Sequence, residues 1–296
     1  MKKIAIVTGA NGGIGQHYSR EMLSRGYHVV LACRSKASGE KVLKQLKSEF
    51  PNEIVELMLV DMGDLESIKQ FSNTVLSKYS RLDVLAHNAG VYFFDKEKRT
   101  SKDGIELNLA IHFIGPFALT AQLFSLLQKT PDARVVSMSS SEHRGNPIDV
   151  NDIQSEKDFS EVGNMKVYSR SKWAILAFTA ELNRRIQTKN LNIHALGAHP
   201  GVSITGIQHA GNPNFLQKGV IWVIGKFFAG KPEDAAKPLI MASVEGQGGE
   251  FYGPTGFNEF KGKPGIVQPD EGTKNQKIGA TLWEKAEKLS KLTFDV

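Results

Sequence analysis

The amino-acid sequence reads as an α/β chain, with a doubly wound parallel sheet and helices on both faces. Short apolar runs alternate with longer helical patterns along most of its length. Most of the runs are continuously apolar, not alternating, which suits strands covered on both sides. Strand-helix repetition of this kind implies right-handed crossovers and a parallel sheet.

In chain order, strands are expected at 4–7 (Ile-Ala-Ile-Val), 28–33, 55–60, 84–86, 134–138 and 193–198, with a late one near 250–252. The intervening stretches 14–25, 38–49, 65–78, 104–127 and 166–188 carry helical patterns. Two loops, 142–163 and 203–217, are long, polar and rich in turn residues, and long loops in compact folds are often functional. No linker, internal repeat or low-complexity tract divides the chain, so residues 1–296 are read as one domain.

Composition narrows the class of partner. The chain is 41% hydrophobic and 23% charged with a net charge of +6, but its basic residues are interleaved with acids, as in 36–49 and 284–291. That is a mixed solvated surface, and it argues against a nucleic-acid binder. Cys33 is the sole cysteine, so no intramolecular disulfide can form, which fits a reducing compartment. Lys2 and Lys3 precede an apolar run of only four residues, too short for a signal core. No stretch is read as the roughly 18 apolar residues of a membrane span. The nearest candidate, 219–229, is broken by Lys226. A cytoplasmic protein is the expectation.

The first run passes straight into Thr8-Gly9-Ala10-Asn11-Gly12-Gly13-Ile14-Gly15, where a helix opens. Gly9, Gly13 and Gly15 permit a tight turn, a backbone that touches a pyrophosphate, and close helix-strand packing. The helix N-terminus adds free N–H groups, here near Asn11 and Ile14, and a positive dipole end. A dinucleotide site is expected. Its second strand carries Arg34, nineteen residues after Gly15, where an NAD site has an acid for the ribose 2′-hydroxyl. A guanidinium there forks onto a 2′-phosphate, so NADP(H) is favoured over NAD(H). The plainer alternative is a solvated strand-end arginine. Asp61, followed by Met62, ends the third strand; it either accepts from the adenine amino group or closes a turn. After the fourth strand, His87-Asn88-Ala89-Gly90 forms a small-residue turn expected to line the adenosine side.

A second constellation follows. Tyr168-Ser-Arg-Ser-Lys172 opens a helix, and residues four apart share one face. A neighbouring ammonium favours the phenolate, so Lys172 is expected to lower the pKa of Tyr168 and suit it to acid-base work. The pair comes after a strand ending Ser137-Met138-Ser139-Ser140-Ser141, whose C-terminal edge is where ligands bind in such sheets.

These motifs, with His199-Pro200-Gly201, stand in the order and spacing of the short-chain dehydrogenases/reductases, which the chain resembles over nearly its whole length. Ala32-Cys33-Arg34, 134–140, 115–120 and Leu282-Trp283-Glu284 are similar to the retinol-dehydrogenase-like branch. The resemblance implies a Rossmann-type fold, NADP(H) and hydride transfer between nicotinamide and a carbonyl or alcohol carbon. It places the family's serine on Ser140, with Ser139 and Ser141 as register alternatives, and gives Tyr168 the proton transfer. Lys172 would tune Tyr168 and hold the nicotinamide ribose. Pro200, Gly201 and Thr205 would pack against the nicotinamide.

Two departures stand out. Taking Gly115-Pro116-Phe117 as the family's G-x-F places His112 where an asparagine is usual, a residue thought to hold a helix distortion and a relay water. His112 is therefore a candidate catalytic residue with a modified relay. His87 replaces the first asparagine of the family's N-N-A-G. Substrate choice is expected in the loops 142–163 and 203–229. The latter, with Phe215, Trp222, Phe227 and Phe228, either roofs a lipophilic pocket or packs on the core or a second subunit. A small carbonyl or alcohol is the expected partner; a homo-oligomer is left open, and no metal is called for. Two other readings stay open, a cofactor-binding sensor without turnover and a different reaction on the same fold.

Overall fold

The computed structural model describes residues 2–93, 97–157, 159–201 and 230–296. Its elements run β1 (Ile4–Thr8), α1 (Gly13–Ser24), β2 (His28–Cys33), α2 (Lys36–Glu49), β3 (Val55–Leu59), α3 (Leu65–Lys78) and β4 (Val84–His87). They continue with α4 (Leu107–Gln128), β5 (Ala133–Met138), α5 (Phe159–Thr188), β6 (Ile193–Ala198), α6 (Pro232–Glu245), β7 (Phe251–Pro254), β8 (Pro264–Ile266) and α7 (Gln276–Ser290).

The strands form one sheet in the order β3-β2-β1-β4-β5-β6-β7-β8, parallel except for β8, which runs antiparallel to β7. β1, β2, β4 and β5 are buried along their whole length, as their continuous apolar runs require. One face is covered by α3, α4, α5 and α7 and the other by α1, α2 and α6. Strand order reverses between β1 and β4, which opens a crevice at the C-terminal edge there.

Every expected strand is present, with ends differing by a few residues at most. The short β8 was not anticipated, because Pro264-Gly265 carries no strand preference and its pairing is tertiary. Two helices were also passed over. α6 starts with Pro232, Glu233 and Asp234, and α7 is capped by Asn275, whose side chain accepts from Ile278 N; both are ordinary start signals.

Leu107–Gln128 corrects the reading that no stretch is apolar enough to span a membrane. It is long and apolar enough by length and composition, yet 83% of its most apolar window is buried inside the fold. Phe117 and Phe124 pack edge-on against Phe294, and Phe117 against Trp283 and Phe178. Its hydropathy is therefore that of a core helix.

α4 is also distorted. Ala110–Ile114 is π-helical, and Gly115 N donates to Ala110 O five residues back. Pro116 has no N–H, so it can close neither an i−4 bond on His112 nor an i−5 bond on Ile111. A Cβ on Gly115 would stand 2.3 Å from Met62 O, so only glycine lets the helix approach the end of β3 here.

Candidate active site

The glycine loop is built for close approach. Gly9 has φ +67°, and a Cβ on it would lie 2.8 Å from Ala89 Cα; one on Gly15 would lie 2.4 Å from Gly9 O. Gly13 also has positive φ. Thr8 Oγ1 accepts from Asn88 N and Ala89 N, both at 3.0 Å, and Asn88 Nδ2 donates to Thr8 O at 2.9 Å. The loop after β1 and the turn after β4 are thus one unit. α2 and α3 are capped by Ser35 and Asp64, but α1 starts at Gly12 with no side-chain cap. Space around Gly12 is open, so the N–H groups of α1 point at an accessible cradle. These residues fit the diphosphate of a dinucleotide.

At the end of β2 Arg34 is exposed and, among the described residues, makes no ion pair. Asn11 Nδ2 donates to Ser38 Oγ at 3.0 Å, tying the glycine loop to α2. Asp61 Oδ1 accepts from Gly63 N at 3.0 Å within the turn that follows β3; Met62 is buried. His87 does not line the crevice. It is buried in the core, its Nε2 donating to Thr120 Oγ1 because that hydroxyl is spent on Pro116 O. Burial alone pulls it down to about 3, so it is neutral.

Four expected residues converge at the C-terminal edge. Ser139 is buried and donates to Lys172 O at 2.8 Å, which leaves Ser140 as the strand-end serine on the Tyr168 side. Ser140 Oγ also accepts from Glu142 N at 3.2 Å. Lys172 Nζ donates to Met138 O at 3.0 Å and stands 5.8 Å from the Tyr168 ring centre. A Cβ on Gly90 would meet both His112 Nε2 and Lys172 Nζ, so Gly90 abuts this centre.

The acid-base expectation needs correction. Burial pushes Tyr168 up to about 12, opposed by the Ser140 hydrogen bond, and pulls Lys172 down to about 7. The ammonium does not lower the phenol here, because both groups are desolvated and Lys172 is itself driven toward its neutral form.

His112 sits inside the π-helical segment with both ring nitrogens engaged. Val91 N donates to Nε2 at 3.0 Å, so the proton is on Nδ1, which donates to Ser171 Oγ at 2.8 Å; that hydroxyl donates to Tyr168 O at 2.6 Å. Burial, with Lys172 nearby, holds it neutral and well below the usual histidine range. The His112 and Tyr92 rings both pack edge-on against Tyr168, at 5.4 and 5.1 Å. Sequence reasoning missed Tyr92 and Ser171. Ser171 lies inside the Tyr-x-x-x-Lys segment and was readable as a helix neighbour of Tyr168; Tyr92 had no signal.

Pro200 and Gly201 follow β6 at the same edge, Gly201 with φ +69°. Thr205 and the loop 203–229 lie outside the described residues.

A glycine loop at the switch point of a parallel sheet, with a Ser, Tyr and Lys gathered at the same edge, defines a class: oxidoreductases that bind a nicotinamide dinucleotide. Comparison with known proteins narrows it. A family model described as short chain dehydrogenase matches residues 3–214. Retinol dehydrogenase 13 of Mus musculus is 30% identical over 97% of this chain and 83% of its own length. Retinol dehydrogenase 11 of Homo sapiens is 30% identical over 99% of this chain and 87% of its own. A crystal structure of a protein from Mycobacterium paratuberculosis superposes with a TM-score of 0.80 at 28% identity, covering 99% of this chain and 95% of that one. The chain belongs to the short-chain dehydrogenase family, as an oxidoreductase of CH–OH and C=O groups similar to the retinol dehydrogenases.

Proposed function

We propose that this protein uses NADP(H) to interconvert a lipophilic carbonyl compound and its alcohol, with Tyr168, Ser140 and Lys172 as its catalytic residues. The observation that carries this reading is the gathering of Ser140, Tyr168 and Lys172 at the sheet edge reached by the glycine loop, with Lys172 Nζ 5.8 Å from the Tyr168 ring centre. When bound, the nicotinamide supplies or takes the hydride. Gly9, Asn11, Gly13, Ile14 and Gly15 receive the diphosphate, and Asp61, Met62, Asn88, Ala89 and Gly90 border the adenosine side. Lys172 also holds the nicotinamide ribose, and Pro200, Gly201 and Thr205 support the ring.

In the reductive direction the Tyr168 hydroxyl donates its proton to the carbonyl oxygen, which the Ser140 hydroxyl also hydrogen-bonds. Burial keeps Tyr168 protonated, as that role needs. His112 serves as a clamp on the helix carrying Tyr168, through Ser171.

The exposed Arg34 supports NADP(H) over NAD(H) by offering a fork to the 2′-phosphate. The retinol dehydrogenase names of the relatives support a lipophilic alcohol or aldehyde as substrate. The buried free thiol of Cys33 supports a cytoplasmic location. No nucleic-acid partner is proposed.

The test is NADPH oxidation against a panel of retinoid and other aldehydes and ketones. Tyr168→Phe should lower kcat by roughly 10²- to 10⁴-fold while NADPH still binds; a variant that keeps most of its turnover removes the assignment. The fully engaged ring of His112 favours one second reading, a cofactor-binding protein without turnover. NADPH binding with no oxidation on any substrate would mark it.

A further inference from the structure

The turn that carries Ser140 and the turn Pro200-Gly201 leave neighbouring strands, β5 and β6, at the same edge. Both are gripped by one carboxylate from elsewhere in the chain, Glu259 in the β7–β8 loop.

Arg144, four residues past Ser140, donates from Nη2 to Glu259 Oε1 and Oε2 at 2.9 and 2.7 Å. The same nitrogen reaches Gln268 O at 2.8 Å. On the other side His199 Nε2 lies 2.8 Å from Glu259 Oε2. Gly201 N donates to His199 Nδ1 at 3.2 Å, so Nδ1 is the acceptor and Nε2 carries the proton toward Glu259. His199 is fully buried, stacked on Phe251 at 5.3 Å and pressed against Gly253, where a Cβ would lie 2.0 Å from Nε2. Burial works against a charge on Glu259, but His199 and Arg144 hold it ionised, below the usual carboxylate range.

The loop is strained to make this grip. Asn258 and Glu259 have φ of 48° and 55°, consecutive left-handed residues of which glutamate is not a preferred type. Such strain persists where surrounding contacts over-determine it, commonly beside functional sites. The loop also closes on the nicotinamide-side turn directly: a Cβ on Gly201 would lie 2.4 Å from Phe260 O and 3.0 Å from Glu259 O. The Ser140 turn is pinned a second time, by His143 Nδ1 at 2.6 Å from Ser140 O and Asp270 N at 3.1 Å from His143 Nε2.

We propose that Glu259 is a positioning residue that, through Arg144 and His199, locks the Ser140 turn and the Pro200-Gly201 turn into one wall behind the nicotinamide. This rests on the reading above, in which the nicotinamide lies against Pro200-Gly201 and Ser140 faces the substrate oxygen. Glu259 touches neither cofactor nor substrate; it fixes the distance between the groups that do. Placement errors of about an ångström can cost on the order of 10²-fold in rate.

The experiment compares wild type with Glu259→Gln, which keeps an acceptor for His199 but no charge for Arg144, and with Arg144→Lys, which keeps the charge but not the planar guanidinium whose Nη2 reaches both Glu259 oxygens and Gln268 O. NADPH is titrated while its own emission is followed, and turnover is measured with NADPH and 4-deuterated NADPH. The affinity for NADPH should change little, because the glycine loop and the adenosine end are untouched. The emission enhancement of the bound nicotinamide should drop by roughly half or more, kcat should fall roughly tenfold or more, and the deuterium isotope effect on kcat should rise as hydride transfer becomes limiting. Folded variants with wild-type emission enhancement and isotope effect would overturn the proposal, since a purely structural ion pair moves neither. If Glu259→Gln does not fold, Arg144→Lys decides by the same two readouts. Wild-type protein that binds no NADPH would sink the cofactor reading and this inference with it; wild-type binding with unchanged variants sinks this inference alone.

Discussion

Lys172 should be a destabilising residue, and Lys172→Met should make the protein more stable while removing its activity. The lysine is buried and held at about 7 against an ordinary 10.5. The folded state therefore binds fewer protons than the unfolded state between those values, and stability rises with pH across that window. At 1.36 kcal/mol per pH unit, this group costs ~4 kcal/mol at pH 7 and only ~1 kcal/mol near pH 9.5. Against it stands one hydrogen bond, Nζ to Met138 O at 3.0 Å, whose loss leaves a buried carbonyl unsatisfied. That loss is about 1–3 kcal/mol at any pH, and methionine keeps nearly the same apolar stem. The variant should gain ~1–3 kcal/mol at pH 7 and nothing, or a small loss, near pH 9.5. Urea unfolding midpoints at the two pH values measure it. The ~3 kcal/mol change of the mutational effect between them does not depend on the hydrogen-bond value. An effect equal at both pH values would refute the burial reasoning.

Two other outcomes are expected. Arg34→Glu should reverse cofactor choice, weakening NADPH relative to NADH by at least roughly tenfold, because a carboxylate repels the 2′-phosphate and accepts from a 2′-hydroxyl. An unchanged ratio in fluorescence titrations would show that another group sets the preference. The fold should also be acid-labile: burial lowers His87 to about 3, His143 to about 4 and His112 well below 6.5. Each contributes stability that is present above about pH 6.5 and lost as pH falls, His87 and His143 together ~2–3 kcal/mol per pH unit between about pH 6 and pH 4.5. Denaturation midpoints that stay flat from pH 7.5 to 5 would count against it.

The strands were legible in the sequence because two-sided burial writes itself as unbroken apolar runs, as in 28–33. The glycine loop was legible because Gly9 and Gly15 leave no room for a Cβ, a constraint that only residue type can meet. Networks that depend on which loops meet were not legible. Glu259 and Arg144 are 115 residues apart, and nothing local marks either as the other's partner. The opposed displacements of Tyr168 and Lys172 were equally hidden, since residue identity suggests mutual attraction while burial decides the outcome. The stretch 203–229, on which the substrate pocket was expected, lies outside the described residues.

His112 shows how a departure from a family pattern is read differently once the backbone is known. The resemblance assigns the asparagine of that position a helix distortion and a relay water, so its absence suggested a weakened or modified relay. The distortion is present all the same, at Ala110–Ile114. Its causes lie in neighbouring residues: Pro116 cannot donate to the turn before it, and Gly115 packs where Met62 O excludes a side chain. Pro116, placed inside an apolar helical pattern, was a readable sign of the break. The side chain at 112 is thereby released from holding the backbone. Histidine uses that freedom to join Val91, one residue past the turn that abuts Lys172, to Ser171 on the helix that carries Tyr168. A neutral ring with both nitrogens engaged is suited to holding these two elements in register and not to exchanging protons with them. What the substitution changes is therefore how the proton path is supplied, while the geometry around Tyr168 is kept by the chain itself.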